Sequence, residues 1–363
     1  MARQLQSDKV LFGATVVLVL FGAIMVFSAS AVMASERYGS SYHFLVRQIS
    51  WVGLGLAAMV AMMNFDYRRL SSPAGVFPAL AVQLVLLVAV LVRDPTHHAR
   101  RWLHLGPAGL QPSEFSKIVL VIFLAYFLDL RQGSANDWKH TLLPIALVAG
   151  VTIVLVVKEP DFGTALALGV IVVAMVFAAG LKAVYLAYPV LAAIPLFYLL
   201  VCRVPYRWNR VVAFLNPDVD PLGKGFQALQ SKIAVSTGGL FGLGLMEGKQ
   251  KLFYLPEPHT DFIFAVIGEE LGFLGAVGVL ALFGLVLWRG LRAASACSNE
   301  FGRLLAIGLT VMVVGQALVN MSVVLGLLPT KGIPLPFISY GGSSLLVSLL
   351  AVGILLNISQ HTS

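Results

Sequence analysis

Long apolar runs separated by short polar segments extend along most of the chain. A helix needs about 20 apolar residues to cross a bilayer, whereas a strand of a membrane barrel alternates over about 10. The pattern therefore predicts an all-α polytopic membrane protein, with a single integral domain over residues 1–363, and excludes a barrel. The ten predicted spans lie at about 10–33, 46–64, 74–92, 113–130, 141–157, 164–180, 184–202, 262–288, 303–325 and 342–358.

Two polar segments, at about 93–112 and 203–261, are too long to be simple turns between spans. With ten spans, both fall on the side opposite to the chain termini. The first segment is basic and aromatic, and the second contains a glycine-rich stretch at 238–248. Such a stretch can lie in the membrane interface or re-enter the membrane, provided that protein or water satisfies its backbone. Both segments are predicted to be extracytoplasmic loops.

Composition agrees with a membrane protein and narrows its chemistry. Hydrophobic residues make up 58% of the chain and charged residues 12%, with a mean hydropathy of +0.88, whereas soluble proteins are about 25% charged. The first apolar run has no cleavage pattern before Glu36 and is interpreted as a retained span. The two cysteines predict no disulfide, and no phosphate-binding glycine motif or zinc-protease motif is present. We expect no nucleic-acid partner and no organic cofactor.

Charge counting leaves the orientation in the membrane open. Cytoplasmic loops usually hold the excess of Lys and Arg, but fewer than half of the 25 basic residues fall on the side of the termini. Most of the others lie in the two long segments, to which the rule applies poorly. The first span has two basic residues before it and only Arg37 soon after it. On that basis the termini are assigned to the cytoplasm.

Charged residues within the predicted spans are few and concentrate near one end of them. An ionised side chain at the bilayer centre costs about 2.5–3.5 kcal/mol on insertion scales, so such residues are functional candidates. Glu114 and Lys117 lie three residues apart at the start of the fourth span and can pair on one helix face. This pair is either a structural salt bridge or part of a functional cavity, and both readings mark a polar side of that helix.

The junction of the fifth and sixth spans carries three charges in four residues. Pro160 ends one helix, and Asp161 can cap the next by accepting hydrogen bonds from its first amides. Capping alone would explain Asp161. It would not explain why Lys158 and Glu159 crowd the same corner.

The sequence His259-Thr260-Asp261 ends a Pro-rich loop at the head of the eighth span. On a continuous helix Gly268, Gly272 and Gly275 project in nearly the same direction as Asp261, which would let another segment approach closely on that face. Asp261 is therefore expected to point into the bundle or its outward cavity, although a role as helix N-cap is the alternative.

The segment 328–344, between the last two spans, contains three prolines and three glycines and cannot form a continuous helix. Backbone of this kind is tolerated at membrane depth only where protein or water can satisfy it. Its Lys331, Ser339 and backbone amides could bind an anion. A purely structural re-entrant loop is the other interpretation.

Five motifs, in this order along the chain, resemble those of the SEDS family (shape, elongation, division and sporulation). They are Ala99-Arg-Arg-Trp-Leu103 with Gln111-Pro-Ser-Glu-Phe-Ser-Lys117, Glu159-Pro-Asp-Phe-Gly-Thr164, Tyr254-Leu-Pro-Glu-Pro-His-Thr-Asp-Phe-Ile-Phe264, Gly268-Glu-Glu-Leu-Gly272, and Leu328 to Ser344. The resemblance covers nearly the whole chain. Within the family, features such as Lys249 to Pro256 look more like the FtsW, or division, branch than the RodA, or elongation, branch.

The resemblance implies a glycosyltransferase of the bacterial cytoplasmic (inner) membrane that polymerises lipid II into peptidoglycan on the outer leaflet. It also implies ten spans with both termini inside. Asp261 matches the family's proposed catalytic aspartate, with His259 and Thr260 beside it in the same motif. Glu114, Lys117 and Asp161 match residues of the family's central cavity, and Lys158 adjoins that motif. Position 159 departs from the pattern, because many relatives carry Gln where this chain has Glu159.

In the expected mechanism, Asp261 accepts the proton of the attacking sugar hydroxyl, and basic residues neutralise the departing diphosphate. The candidates for diphosphate binding are Arg100, Arg101, Arg207, Arg210, Lys331 and Ser339. A divalent cation, Mg²⁺ or Mn²⁺, could assist, but no motif fixes its ligands. The resemblance implies a class B penicillin-binding protein, a transpeptidase, as partner, with other divisome or elongasome proteins.

Two alternatives come from other functional classes. A lipid II flippase would place its polar residues near the bilayer midplane, often at breaks in paired helices, whereas this chain concentrates them at one face. A non-catalytic scaffold of the cell-wall machinery fits the predicted spans but leaves Asp261 and the basic loops without a role.

Overall fold

The computed structural model describes residues 7–92, 101–105, 108–186, 226–252, 254–329 and 332–361, with isolated positions between 187 and 225. Its helices are α1 Lys9–Tyr38, α2 His43–Met63, α3 Pro73–Val92, α4 Pro112–Leu130, α5 Leu143–Lys158, α6 Phe162–Ala178, α7 Phe226–Thr237, α8 Ile263–Ala296, α9 Glu300–Val324 and α10 Gly342–Gln360. Short 3-10 turns lie at Tyr67–Ser71 and Ala183–Leu186, and π-helical turns at Trp138–Leu142, before α5, and Val311–Gly315, within α9.

The long helices occupy nine of the predicted spans, most of them to within a few residues, although α8 extends to Ala296, beyond the predicted end at 288. Seven apolar helices in the described part of the chain are long enough to cross a membrane, and α6 is a shorter apolar helix. α4 is 19 residues long but carries Glu114, Lys117 and Asp129. Most of the predicted seventh span, 184–202, and of the loop 203–225 lies outside the described residues, so the count of ten spans stays a prediction.

The segment predicted as the first long loop contains a β-hairpin. Strands β1, Leu103–Leu105, and β2, Ala108–Leu110, pair antiparallel, with Leu103 opposite Leu110. This hairpin lies on the face of the bundle that also holds the α1–α2, α5–α6 and α9–α10 connections and the residues before α8. We call this the loop face and the opposite one the terminus face. The helical class is unchanged, because the hairpin has only three residues in each strand.

At the terminus face the two ends of the chain meet. The Asp8 carboxylate caps α1 by accepting hydrogen bonds from Val10 N and Leu11 N, at 3.0 Å each. It also binds Arg289 Nε near the end of α8 at 2.6 Å. The Asp8 amide donates to Ser359 Oγ in α10 at 3.3 Å. The first and last helices are thus fastened to one another and to α8.

Small residues allow α2 and α10 to pack closely. A Cβ added to Gly353 would lie 2.5 Å from the Met59 carbonyl oxygen, and one added to Gly55 would lie 2.5 Å from Leu349. The van der Waals contact that such close approach permits is the main attraction between helices in lipid. The second helix of the chain therefore pairs with the last.

The eighth helix is broken at Gly272, where the backbone has φ 65° and ψ −162°. Before the break, Ile263 to Glu270 are all buried. After it the outward residues are exposed, with Phe273 at 59% and Leu274 at 56%. The predicted glycine face is confirmed at Gly268 and Gly272, which contact Val235 and Leu240. It does not continue to Gly275, whose added Cβ would meet only the helix's own Leu271, because the break changes the helical register.

Candidate active site

A cleft with a volume of about 240 Å³ opens at the loop face and gathers residues that are far apart in sequence. Its lining comes from the residues that flank the hairpin, the first turn of α4, the α5–α6 junction, the segment before α8, and the α9–α10 connection. The polar residues among them are Arg101, Gln111, Glu114, Asp161, Thr164, Glu257, Thr260, Asp261, Tyr340 and Ser344. The structure therefore brings together four of the five sequence motifs.

Backbone hydrogen bonds hold the Asp261 segment in place. Asn320 Nδ2 in α9 donates to the Asp261 carbonyl at 2.8 Å, and Ser339 Oγ donates to the Thr260 carbonyl at 2.5 Å. The Tyr340 amide donates to the His259 carbonyl at 2.9 Å. Three consecutive carbonyls are thus fixed by groups from α9 and the α9–α10 connection.

The Asp261 side chain is left for the cleft. α8 begins at Ile263 with Phe262 as its N-cap residue, and the alternative role of Asp261 as a helix cap is wrong. Among the described residues, no donor forms a hydrogen bond to this carboxylate. A Cβ on Gly332 would lie 2.6 Å from Asp261 Oδ2, so a larger residue at 332 would displace the carboxylate from its observed position.

The environment of Asp261 favours its protonated form. Burial raises the pKa of Asp261 to about 7, and the Glu257 and Asp161 carboxylates raise it further while Arg101 opposes them. Glu257 lies in the loop before Asp261 with a positive φ of 50° and lines the cleft. A carboxyl group with a pKa near 7 matches the requirement for a general base at neutral pH.

Asp161 has a structural role in the wall of the cleft. Its predicted capping of α6 is confirmed by hydrogen bonds from Thr164 N at 3.1 Å and from Thr164 Oγ1 at 2.8 Å. Gln111 Nε2 also donates to it at 2.9 Å. Asp161 therefore joins the start of α6 to the residue preceding α4.

Glu114 and Lys117 form the predicted pair, and both are buried. Lys117 Nζ lies 2.9 Å from Glu114 Oε2 and 2.5 Å from Gln316 Oε1 in α9. Gln316 Nε2 in turn donates to the Pro334 carbonyl at 2.9 Å. The chain of contacts connects α4 and α9 to the α9–α10 connection, and Glu114 also faces the cleft.

Arg101 fastens the hairpin segment to the α5–α6 junction. Its Nε donates to the Glu159 carbonyl at 3.1 Å, and its Nη2 donates to the Pro160 carbonyl. The Glu159 side chain is buried, and neither carboxylate oxygen has a hydrogen-bond partner in the described structure. Burial raises the pKa of Glu159 to about 8, with a further contribution from Asp161. Glu159 is therefore mainly neutral at pH 7.

The comparisons with known proteins agree with this geometry. The model of the FtsW/RodA/SpoVE family, described as a cell cycle protein family, matches residues 8–363. The chain belongs to this family. Together with the apolar helices, membership shows a multi-pass membrane protein of the SEDS type that the motifs resembled.

Family members of known name are similar over almost their whole length. The chain is 46% identical to a probable peptidoglycan glycosyltransferase FtsW of Trichlorobacter lovleyi, over 98% of this chain and 94% of that one. It is 40% identical to the stage V sporulation protein E of Bacillus subtilis, over 99% of each chain.

Two solved structures are similar as well. A chain from a peptidoglycan synthase complex, described as coordinating polymerization and crosslinking, has a TM-score of 0.81 and 34% identity, with 98% of each chain covered. The rod shape determining protein RodA of Thermus thermophilus has a TM-score of 0.72 and 32% identity, covering 98% of this chain and 97% of its own.

Not every residue that the family motifs pointed to lies in the cleft. Lys158 is exposed at the end of α5 and does not line it. His259 is buried behind the cleft, with its ring centroid 4.5 Å from that of Phe44 and 5.6 Å from that of Tyr340. Burial lowers the pKa of His259 to about 4, so the ring is neutral and serves packing. Thr260 lines the cleft beside Asp261.

Ser339, a predicted diphosphate-binding residue, has hydrogen-bond partners within the protein and does not line the cleft. Its hydroxyl is buried, donates to the Thr260 carbonyl and accepts from the Leu335 amide at 2.8 Å. These bonds occupy the group and fix the loop. Four of the basic candidates for diphosphate binding lie outside the described residues, namely Arg100, Arg207, Arg210 and Lys331.

Sequence reasoning missed Glu257, Gly332 and the buried character of Glu159. Glu257 stands in a motif that was recognised, but only the folded loop turns it towards Asp261.

The cleft holds several carboxylates, but no group of three His, Cys, Asp or Glu side chains in the described part of the chain is close enough to form a metal site.

Proposed function

We propose that this chain, a peptidoglycan glycosyltransferase of the FtsW/RodA/SpoVE family, polymerises lipid II and that Asp261 is its catalytic residue. The observation that carries the proposal is the Asp261 carboxylate, fixed through its backbone and without a donor among the described residues, at the floor of a cleft. Its raised pKa of about 7 supports the same role. The high identity to FtsW relatives favours the division branch.

In the proposed reaction the ionised Asp261 accepts the proton of the attacking sugar hydroxyl of one substrate. The hydroxyl oxygen forms the new bond to the anomeric carbon of the other substrate, and the bond from that carbon to the lipid diphosphate breaks. General-base assistance of this kind is worth about 10²–10⁴ in rate. The diphosphate leaves with the electron pair, so cations beside the cleft stabilise the transition state.

Arg101 supports the binding of the departing diphosphate, because it is a cation that lines the cleft. Arg100, Arg207, Arg210 and Lys331 are proposed to assist it. A small groove between α6 and α9 is lined by apolar residues such as Leu166, Val170 and Val319, and its Gly163 and Ile333 are next in sequence to residues that line the cleft. This groove supports the binding of a lipid tail beside the reacting sugars.

We also propose that a divalent cation such as Mg²⁺ binds at the cleft together with the substrate. Mg²⁺ is commonly bound by one or two carboxylates together with substrate phosphates, and Asp261 and Glu257 supply carboxylates at the cleft. When bound, the cation would neutralise charge on the leaving diphosphate. Proton acceptance by Asp261 is assigned to the protein alone.

We further propose that the protein lies in the cytoplasmic membrane with its loop face outside and its termini in the cytoplasm. The relation to a chain of a peptidoglycan synthase complex supports a partner protein. We propose a class B penicillin-binding protein for that role, with other division or elongation proteins around it.

The test is polymerisation of lipid II by purified Asp261→Asn protein with its partner present. We expect glycan formation to fall by about 10²-fold or more, while the variant stays folded because Asn removes a carboxyl that burial disfavours in its ionised form. Asp129→Asn, the same change in the partly exposed last turn of α4, is the matched control and should keep full activity. Wild-type glycan yield from Asp261→Asn would refute the assignment.

Translocation of labelled lipid II across vesicles made from the same preparation separates the alternatives. Polymer without translocation supports the enzyme. Translocation without polymer supports the flippase, and neither activity in a correctly folded complex supports a scaffold.

A further inference from the structure

The helix break at Gly272 is filled by backbone from another part of the chain. In a regular helix the amides of Phe273 and Leu274 would donate to the carbonyls of Glu269 and Glu270. Here Phe273 N donates to Gly239 O at 2.9 Å and Leu274 N to Leu240 O at 3.2 Å. We call residues 238–252 the inserted loop.

The two carbonyls freed by the break are also satisfied by the inserted loop. Glu269 O accepts from Leu243 N and Glu270 O from Gly244 N, each at 3.0 Å. Two hydrogen bonds of α8 are thus exchanged for four bonds to the inserted loop. Unpaired backbone groups within a membrane protein are costly, so the loop and the break depend on each other.

Glycines make this contact sterically possible. A Cβ on Gly238 would lie 1.9 Å from the Gly268 carbonyl oxygen, and one on Gly242 would lie 2.1 Å from the Glu270 carbonyl oxygen. Gly272 itself has a φ of 65°, a conformation that other residues adopt at a cost. The sequence is therefore specialised for the insertion on both sides.

Two buried carboxylates tie the far end of the inserted loop to the same helix. Glu269 Oε1 accepts from the amides of Lys249 and Gln250 at 2.8 and 3.1 Å. Glu270 pairs with Lys251, with Nζ to Oε1 at 2.6 Å, and accepts from Ser28 Oγ of α1 at 2.7 Å. Neither the polymerisation chemistry nor the cleft described above uses this cluster.

The ion pair of Lys251 and Glu270 closes a loop of the chain, residues 251–270, and Asp261 lies near the middle of that loop. Between the two paired residues the chain passes through the Pro-rich segment and Asp261 and then forms the first turns of α8. Closing a flexible segment at its base reduces the conformations open to the residues within it. The contact at Glu270 therefore restrains the segment that carries Asp261, in addition to the backbone bonds beside that residue.

We propose that Lys251, Glu270 and the helix break at Gly272 are positioning elements for Asp261, which hold its loop so that the carboxylate faces the cleft. This inference rests on the proposed catalytic role of Asp261. Opening of the insertion would let α8 become continuous and release the loop.

The test compares Gly272→Ala with Gly278→Ala. The first change puts a Cβ 2.4 Å from the Gly242 nitrogen and disfavours the positive φ, whereas the second adds a Cβ in open space on the same helix. We expect faster amide hydrogen exchange over residues 239–262 in Gly272→Ala alone. Turnover of lipid II should fall about 10-fold or more with KM changed much less, because misplacement by about 1 Å can cost about 10²-fold in rate.

If Gly272→Ala does not fold, Lys251→Met/Glu270→Gln takes its place, since it removes the tie without leaving an unpaired buried charge. The same slower turnover and faster exchange are expected. Faster exchange at 239–252 with unchanged turnover would overturn the proposal, and so would unchanged exchange at 254–262.

Asp261→Asn, measured alongside, separates this inference from the proposed function. It should lower turnover by about 10²-fold or more without changing the exchange of the inserted loop. If Asp261→Asn stays active, the catalytic assignment fails, whereas the exchange pattern of Gly272→Ala still reports whether the break controls the Asp261 segment.

Discussion

At the terminus face, Asp8 binds Arg289 at 2.6 Å, and Glu300 binds Arg303 at 2.5 Å. At the loop face, the carboxylates of Asp261 and Glu159 receive no hydrogen bond from any described residue, although burial disfavours their ionised forms. Pairing with a cation or donors would have lowered the free energy of the folded state. The two unpaired carboxylates of the loop face are thus left for chemistry, whereas the paired charges of the terminus face stabilise the fold.

The buried pair of Glu114 and Lys117 combines features of both faces. Its charges are paired, as at the terminus face, yet Glu114 lines the cleft. Lys117→Met should lower the free energy of unfolding by about 3–5 kcal/mol, because Glu114 is left buried without its cation. Thermal unfolding in detergent measures this, with Lys182→Met, an exposed lysine at the terminus face, as the control. Loss below about 1 kcal/mol would show that water reaches the pair.

The double variant Glu114→Gln/Lys117→Met addresses function in the same region. It removes both charges and avoids an unpaired one. Full polymerisation activity would mean that the pair is only a scaffold, whereas reduced turnover with retained stability would place it in the chemistry of the cleft.

Glu159→Gln should stabilise the protein, which is the opposite of the usual effect of losing a charge. The folded protein holds Glu159 neutral up to about pH 8, while the unfolded chain ionises it near its ordinary value of 4.5. Because the pKa of Glu159 is higher in the folded state, the free energy of unfolding decreases as pH rises from about 4.5 to about 8. We expect a gain of about 1–3 kcal/mol at pH 8, and none below pH 4. An equal gain at both pH values would contradict this origin.

The pH dependence of polymerisation should report Asp261. Because the base form is needed and burial raises the pKa of Asp261 to about 7, activity should fall about tenfold for each pH unit below that value. The rate profile of the wild type, with Glu159→Gln for comparison, measures this. A profile flat from pH 8 to pH 5 would argue against a titrating base.

The smallest effect is expected at the terminus face. Glu300 and Arg303 are three residues apart and partly exposed, so Glu300→Gln should cost only about 0.3–0.5 kcal/mol and leave turnover unchanged. Thermal unfolding and the polymerisation assay together check this. A large loss of activity would contradict the view that charges at the terminus face stabilise the fold and take no part in the reaction.

Nine spans were predictable because apolar length decides them, and their helices begin close to the predicted limits, although α8 ends eight residues beyond the predicted 288. The meeting of Glu114, Asp161 and Asp261 at one face followed from the ends of those spans. The break at Gly272 was not predictable, because Glu269 to Phe273 reads as one helical run and only contacts with residues 239–244 stabilise the interruption.

The details of the site also depend on long-range contacts. Ser339 looked like an anion ligand because its sequence is rich in glycine and proline, yet its hydroxyl holds the Thr260 carbonyl. The unpaired state of Glu159 arises because Arg101 binds the carbonyl of that residue and leaves its carboxylate without a donor. Neither the partner of Ser339 nor that of Arg101 can be predicted from the residues next to it in sequence.

The fastening of Asp8 to Arg289 and Ser359, and of α2 to α10, has a consequence for biosynthesis. Ribosomes add about 5–20 residues per second, so α1 and α2 enter the bilayer roughly tens of seconds before their partners exist. During that interval each must persist as an independent insert, and Ser28 still lacks Glu270. Completion of the last three helices, rather than insertion of the first, is then the event that creates the cleft, and a chain interrupted before α10 would remain in the membrane as an inactive set of spans.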